Sequence, residues 1–218
     1  MKSREERRQR IVDFYLLAKG IVLDEGFQEE ISWQTTVRLT EIDETAFLKE
    51  AAWVVLSSGM REAIVRKKFP ALSRAFYQWT SAHKINEKAR ECRQGALAIF
   101  SHAKKIDAII EIARRVNHGG FDSFKRRVDT DGVAFLQTLP YIGPATSLHL
   151  AKNIGADVVK PDRHLLRISS LAGFDNPTDF CKTISSAVGD RLSVVDLVVW
   201  RYATLNPGYL DFLTTYLH

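Results

Sequence analysis

Two short stretches carry residue types and spacings suited to chemistry. The first, Leu136-Gln-Thr-Leu-Pro-Tyr-Ile-Gly-Pro-Ala-Thr-Ser147, joins two helical segments through a tight turn ending at Gly143. Pro144 stands at the first helical position, where a missing N–H costs nothing. The N–H groups that follow have no intrahelical acceptor and point outward, so this helix start can take a phosphate. Gly143 has no side chain, which lets a ligand backbone approach closely. The second stretch, Lys160-Pro-Asp-Arg-His-Leu-Leu-Arg167, puts one carboxylate, Asp162, at another helix start. Taken singly, these features also describe a plain helix corner and an N-cap aspartate. Taken together they suggest a site. A helix over 144–154 is about 16 Å long at about 1.5 Å per residue. The connector 155–161 can span up to about 23 Å, enough to return Asp162 to the anion-gripping face.

Leu-Pro-Tyr-Ile-Gly-Pro-Ala-Thr-Ser followed by Lys-Pro-Asp-Arg-His-Leu-Leu-Arg-Ile resembles the helix-hairpin-helix/GPD superfamily of base-excision DNA glycosylases. That family includes the endonuclease III, adenine-mismatch, 8-oxoguanine and alkyladenine glycosylases. The match is strong over about 135–168, where Asp162, His164 and Arg167 follow the Asp-x-His-hydrophobic-x-Arg pattern. It is weaker over 46–61, where Val55-Leu-Ser-Ser-Gly-Met-Arg61 is similar to the family's Leu-Leu-Ser-x-Gln segment. The N-terminal 45 residues match nothing in the family. Two departures stand out. Tyr141 occupies a position that is commonly Gly, and Ala145 stands where bifunctional members carry the Schiff-base lysine.

The resemblance implies an all-α fold of two lobes, one over about 45–165 and the other over about 1–44 plus 166–218. It implies a monofunctional glycosylase that acts on a damaged or modified base in double-stranded DNA, with Asp162 as the catalytic carboxylate. Leu139, Tyr141, Gly143, Ala145 and Thr146 would form the phosphate-binding hairpin. The carbonyls of Leu139, Tyr141 and Gly143 would hold a structural monovalent cation, sodium or potassium; no other cofactor is expected. Base flipping needs a side chain to fill the vacated stack. The Ser57–Arg61 turn offers Met60 and Arg61 for that role, although Met60 fits core packing equally well. Trp53 and Trp200 are candidates to stack on the extruded base, and both also suit an apolar helix face. Two alternatives stay open: a non-catalytic DNA-binding module using the hairpin as a clamp, and a glycosylase/lyase using Lys152 or Lys160.

The elements that must position these residues read as helical almost throughout. Helices are expected over about 4–18, from Thr40-Asp43 through Leu56, from Pro70, from Asn86, over 102–117, over 131–138, from Pro144 and from Asp162 to Gly173. Further helices start at Asn176-Pro177 and at Ser193, with Ser193 and Asp196 as a cap. Residues 20–42 read as irregular, with Ser32 to Leu39 extended. The 218 residues are 45% hydrophobic and 26% charged, enough for a buried core. Lys plus Arg number 31 against 26 Asp plus Glu, a net +5 that suits a polyanionic partner without requiring one. The basic clusters at Arg61, Lys67 and Lys68, at Lys104 and Lys105, and at Lys125 to Arg127 read first as solvated faces, and with a hairpin present some of them would track phosphates. Cys92 and Cys181 lie far apart with no CxxC spacing, against a zinc or iron–sulfur site. The basic start Met1–Arg10 lacks the features of a signal peptide, and no apolar run is long enough for a membrane span. A soluble, monomeric protein of the cytoplasm or nucleoid is expected.

Overall fold

The computed structural model describes residues 4–217, so the first three residues of the basic start lie outside it. Thirteen α-helices run along the described chain: α1 Arg4–Asp24, α2 Gln28–Thr36, α3 Glu44–Ser57, α4 Glu62–Ala75, α5 Ala82–Glu87, α6 Ala89–Ile99, α7 Ala103–Gly119, α8 Phe121–Leu136, α9 Pro144–Asn153, α10 Arg163–Leu171, α11 Pro177–Val188, α12 Leu192–Leu205 and α13 Tyr209–Leu217. No strand occurs among the described residues, and no helix there is long and apolar enough to cross a membrane. The chain divides into two compact units. A central unit spans Arg38–Ile154, and a terminal unit joins the residues up to Val37 with those from Gly155 on. The boundaries thus lie at 38 and 154, and Asp162 belongs to the terminal unit.

In the central unit α7 packs against α3, α5, α6 and α8, and α9 packs against α3 and α8. The buried residues of α7 recur at helical spacing through Ile106, Ile109, Ile112, Ala113 and Val116. Trp79 is buried, stacked against Phe76 at 4.8 Å, and its Nε1–H donates to Ser73 Oγ at 2.8 Å. That burial holds Tyr77, Gln78 and Trp79 in three successive positive-φ conformations. In the terminal unit α12 is the hub, packed by α1, α2, α10 and α11. It is buried nearly all round, from Ser193 to Val199 and from Arg201 to Ala203, as its high share of apolar residues requires.

Several local expectations are corrected. Ser32 to Thr36 are helical, not extended. Ile31 reaches the terminal core, and the Thr35 and Thr36 hydroxyls donate back to the Ile31 and Ser32 carbonyls, so the β-branched pair sits in α2. Asp43, not Thr40, caps α3, accepting the Ala46 N–H at 2.7 Å. Pro70 lies inside α4, which starts at Glu62 where Arg66 pairs one turn on. Ser81 rather than Asn86 caps α5, accepting from the Lys84 N–H. Residues 131–136 are the end of α8, set off by a kink at Gly132 with φ 54°. The α12 start is Leu192, and neither Ser193 nor Asp196 caps it.

Candidate functional site

The hairpin begins where α8 unwinds. The Thr138 and Leu139 N–H groups donate to the Phe135 and Leu136 carbonyls, and the Ile142 N–H donates to the Leu139 carbonyl at 3.1 Å. This closes a four-residue turn, Leu139 to Ile142, anchored by two buried ends. Pro140 fixes its second position. Tyr141 occupies its third with φ 66°, the left-handed region that such a turn demands and that glycine fills most easily. Tyr141 remains 40% exposed. Its ring meets the His102 ring edge-on at 6.1 Å and the Lys105 ammonium at 5.6 Å.

After the turn, the Gly143 N–H donates to Thr146 Oγ1 at 2.6 Å, and that hydroxyl and the Ser147 N–H both donate to the Gly143 carbonyl. Pro144 has no N–H. The groups that α9 leaves for a ligand are therefore the N–H donors of Ala145 and Thr146; Gly143's own is used by its cap. The carbonyls expected to hold a cation differ in free capacity. Gly143 accepts two bonds and Leu139 one, whereas Tyr141 accepts none among the described residues. A monovalent ion would lean on Tyr141 and Leu139 and would have to share Gly143. No group of three His, Cys, Asp or Glu suited to a metal occurs among the described residues.

The 57–61 segment is a second turn of the same shape. Ser58 has φ −55° and ψ 116°, Gly59 has φ 67°, and the Met60 N–H donates to the Ser57 carbonyl at 3.0 Å. Met60 is 38% exposed and is not core; Arg61 is exposed at the start of α4. The two turns share one anchor, Lys105 of α7. Its ammonium donates to the Leu56 carbonyl at 2.7 Å and the Ser58 carbonyl at 2.5 Å while facing the Tyr141 ring. A cation there satisfies carbonyls orphaned at the end of α3. Burial pulls the Lys105 ammonium below the ordinary lysine value. Lys105 is therefore a strut and not one of the phosphate-tracking surface lysines. The same correction applies to Lys68, which donates to the Ile99 carbonyl, and Lys125, which donates to those of Thr40 and Ile42. Arg61, Lys67, Lys104, Arg126 and Arg127 do face solvent. The signal for Lys105 was in the pattern: Lys105, Ile109, Ile112 and Val116 fall on one buried stripe of α7.

The helices bearing the two turns are also joined directly. Glu50 of α3 accepts a hydrogen bond from Asn153 Nδ2 of α9 at 2.9 Å. Burial pushes the Glu50 carboxyl up to about 7, against the Asn153 bond, which lowers it.

In the terminal unit, Asp162 is the N-cap of α10. Its Oδ1 accepts the N–H groups of His164 at 2.9 Å and Leu165 at 3.0 Å. Both bonds fall on one oxygen, so Oδ2 stays open on a half-buried side chain. The loop leading to it is fixed at three points. Arg191 donates to the Gly155 carbonyl at 2.7 Å, the Ser193 N–H donates to Asp157 Oδ1 at 2.9 Å, and the Lys160 N–H donates to buried Asp196 at 2.5 Å. Asp196 thus holds the Asp162 loop and not its own helix start, a role no local pattern announces. His164 lies 3.0 Å from the Tyr209 hydroxyl, and burial holds its imidazole below the usual histidine value.

The remaining expected residues belong to both units. Trp53 packs edge-on against Phe69 at 5.2 Å with the Arg66 guanidinium 5.7 Å from its ring. Trp200, on α12 of the other unit, has the Arg201 guanidinium 4.5 Å from its ring. Lys152 is buried and Lys160 half-buried. Comparison of the chain with family models, curated proteins and solved structures returns no match.

Proposed function

We propose that this chain is a monofunctional DNA glycosylase of the helix-hairpin-helix class, acting on a damaged or modified base in duplex DNA. The observation that carries the reading is the Lys105 anchor. One buried ammonium holds the turn that presents Met60 and Arg61 and faces the ring of the turn that leads into the free N–H groups of Ala145 and Thr146. A strand whose phosphate meets those N–H groups would have a wedge close by, as base flipping requires. Gly143 adds support. Its φ of −93° is open to any residue, and a Cβ there would meet only Thr146 Oγ1 at 3.9 Å. The protein itself does not need glycine at this point, whereas an approaching sugar-phosphate backbone does.

In this reading Asp162 supplies the charge. Cleavage of the base–sugar bond leaves positive charge on the deoxyribose, which a carboxylate stabilises while it orients or deprotonates water. The open Oδ2, on a side chain held by its cap and by a pinned loop, suits that task. At about 4 Å and an effective dielectric of about 20 the attraction is on the order of 4 kcal/mol, or roughly a thousandfold in rate. Ala145 stands where a Schiff-base lysine would, Lys152 is buried and Lys160 half-buried, which supports base release without strand cleavage.

A second reading has its own observation: Asp162 Oδ1 already makes both bonds of an ordinary cap, which fits a DNA-binding module without catalysis. Duplexes with single alkylated, oxidised, deaminated or hypermodified bases separate the readings when incubated with the protein and then scored with and without alkali. The glycosylase reading expects strand breaks at one lesion class only after alkali, and no adduct trapped by borohydride. Duplex binding without abasic sites from any substrate would leave the module.

A further inference from the structure

The central unit also holds a cavity of about 470 Å³ between the end of α7 and α8, which reaches Thr138 beside the hairpin turn. This is the size of a small-ligand site. Its floor is apolar: Phe124 and Phe135 are buried and meet edge to face at 5.1 Å. Its walls carry Arg114, Arg115, Arg127 and His118, and none of the described residues lining it is acidic. Arg114 and Arg115 share one carboxylate, Glu111. Arg115 also donates to the Thr138 carbonyl at 2.7 Å, which ties the wall to the entry of the hairpin. Arg127 stands 4.3 Å from the Phe135 ring and faces solvent.

Three guanidiniums against one carboxylate leave an excess of positive charge around an aromatic floor. Guanidiniums bind phosphate through paired N–H donors and stack on flat π-systems. A ligand matching both features has an aromatic body and a phosphate. We infer that this cavity is a nucleotide-binding site, distinct from the hairpin and independent of base excision, which takes a phosphorylated nucleoside free in solution or within a single strand. Arg127 is its principal phosphate ligand, and the guanidiniums around the cavity offer the base a flat surface to stack on.

The test measures binding only, with full-length protein. Deoxyadenosine 5′-monophosphate, deoxyadenosine and a fluorescent single-stranded oligonucleotide are titrated into wild type, Arg127→Gln and Arg114→Gln. Arg114 is exposed and its substitution spares the Phe135 packing, so it guards against a folding artefact. For a free nucleotide, the monophosphate binds in the millimolar range or tighter, the nucleoside does not, and each substitution weakens binding about tenfold. For a nucleotide within a strand, the monophosphate is inert, and each substitution weakens the oligonucleotide and lowers its salt slope by about 1. Unchanged affinity of both variants for both phosphorylated probes overturns the proposal.

Discussion

The turns at Gly59 and Tyr141 have the same hydrogen bond and the same left-handed third residue, yet different occupants. At Gly59 the conformation is free of side-chain strain, and nothing lies within 4 Å of where a Cβ would be. At Tyr141 a bulky residue accepts a strain of about 1 kcal/mol. What it gains is a ring against Lys105 and His102. The difference separates two ways of holding a loop: a residue that suits the backbone, or a side chain that compensates for it. Both turns then rely on the same ammonium.

That shared reliance makes Lys105 the most sensitive point of the pair. Lys105→Met fills similar space but leaves the Leu56 and Ser58 carbonyls unanswered, and a loss of about 2–4 kcal/mol is expected in urea unfolding. Duplex affinity should fall with it, because the Met60 turn loses its anchor; full retention of stability would break the comparison at its root.

The cross-link between the two helices comes next. The Glu50 carboxyl titrates near 7 in the folded protein against about 4.5 when unfolded. The folded state therefore binds the proton more tightly between these values, and stability should fall as pH rises through that window, by about 3 kcal/mol. Glu50→Gln cannot ionise and should flatten the slope, seen as urea midpoints at pH 4.5 and 7.5 that draw together.

Gly59→Ala meets no neighbour, so only φ opposes it. Thermal unfolding should show a cost of about 1 kcal/mol. Tyr141→Gly should change stability least. Relief of about 1 kcal/mol of strain offsets loss of the cation–π contact, worth about 0.5–1 kcal/mol, so the net stays within about 0.5 kcal/mol. A large loss there would mean that the ring does more than offset its own backbone.

What could be read from the residues divides by locality. The helix starts at Asp162 and Asn176-Pro177 were legible because each is set by a side chain and the N–H groups two or three residues on, and the start at Pro144 because proline suits the first helical position. The all-helical character followed from periodicity. Pro70 misled because tertiary packing keeps α4 going through a residue that favours helix starts. Thr35 and Thr36 misled because their hydroxyls bond back within α2. The left-handed Tyr77–Trp79 run depends on Trp79 burial, a packing outcome that residue type and spacing do not announce. In the site, the hairpin turn was legible down to the unusual Tyr141. Lys105 and Asp196 were not recognised as anchors, since each acts on a backbone far along the chain.

The central claim is that Asp162 acts through its charge. Asparagine caps a helix as well as aspartate does, so Asp162→Asn keeps α10 and removes only the charge. Single-turnover base release from the preferred lesion duplex should fall by roughly a thousandfold, with duplex affinity and unfolding midpoint unchanged. Release at the wild-type rate by the Asn variant would contradict the account, leaving Asp162 as a cap and nothing more.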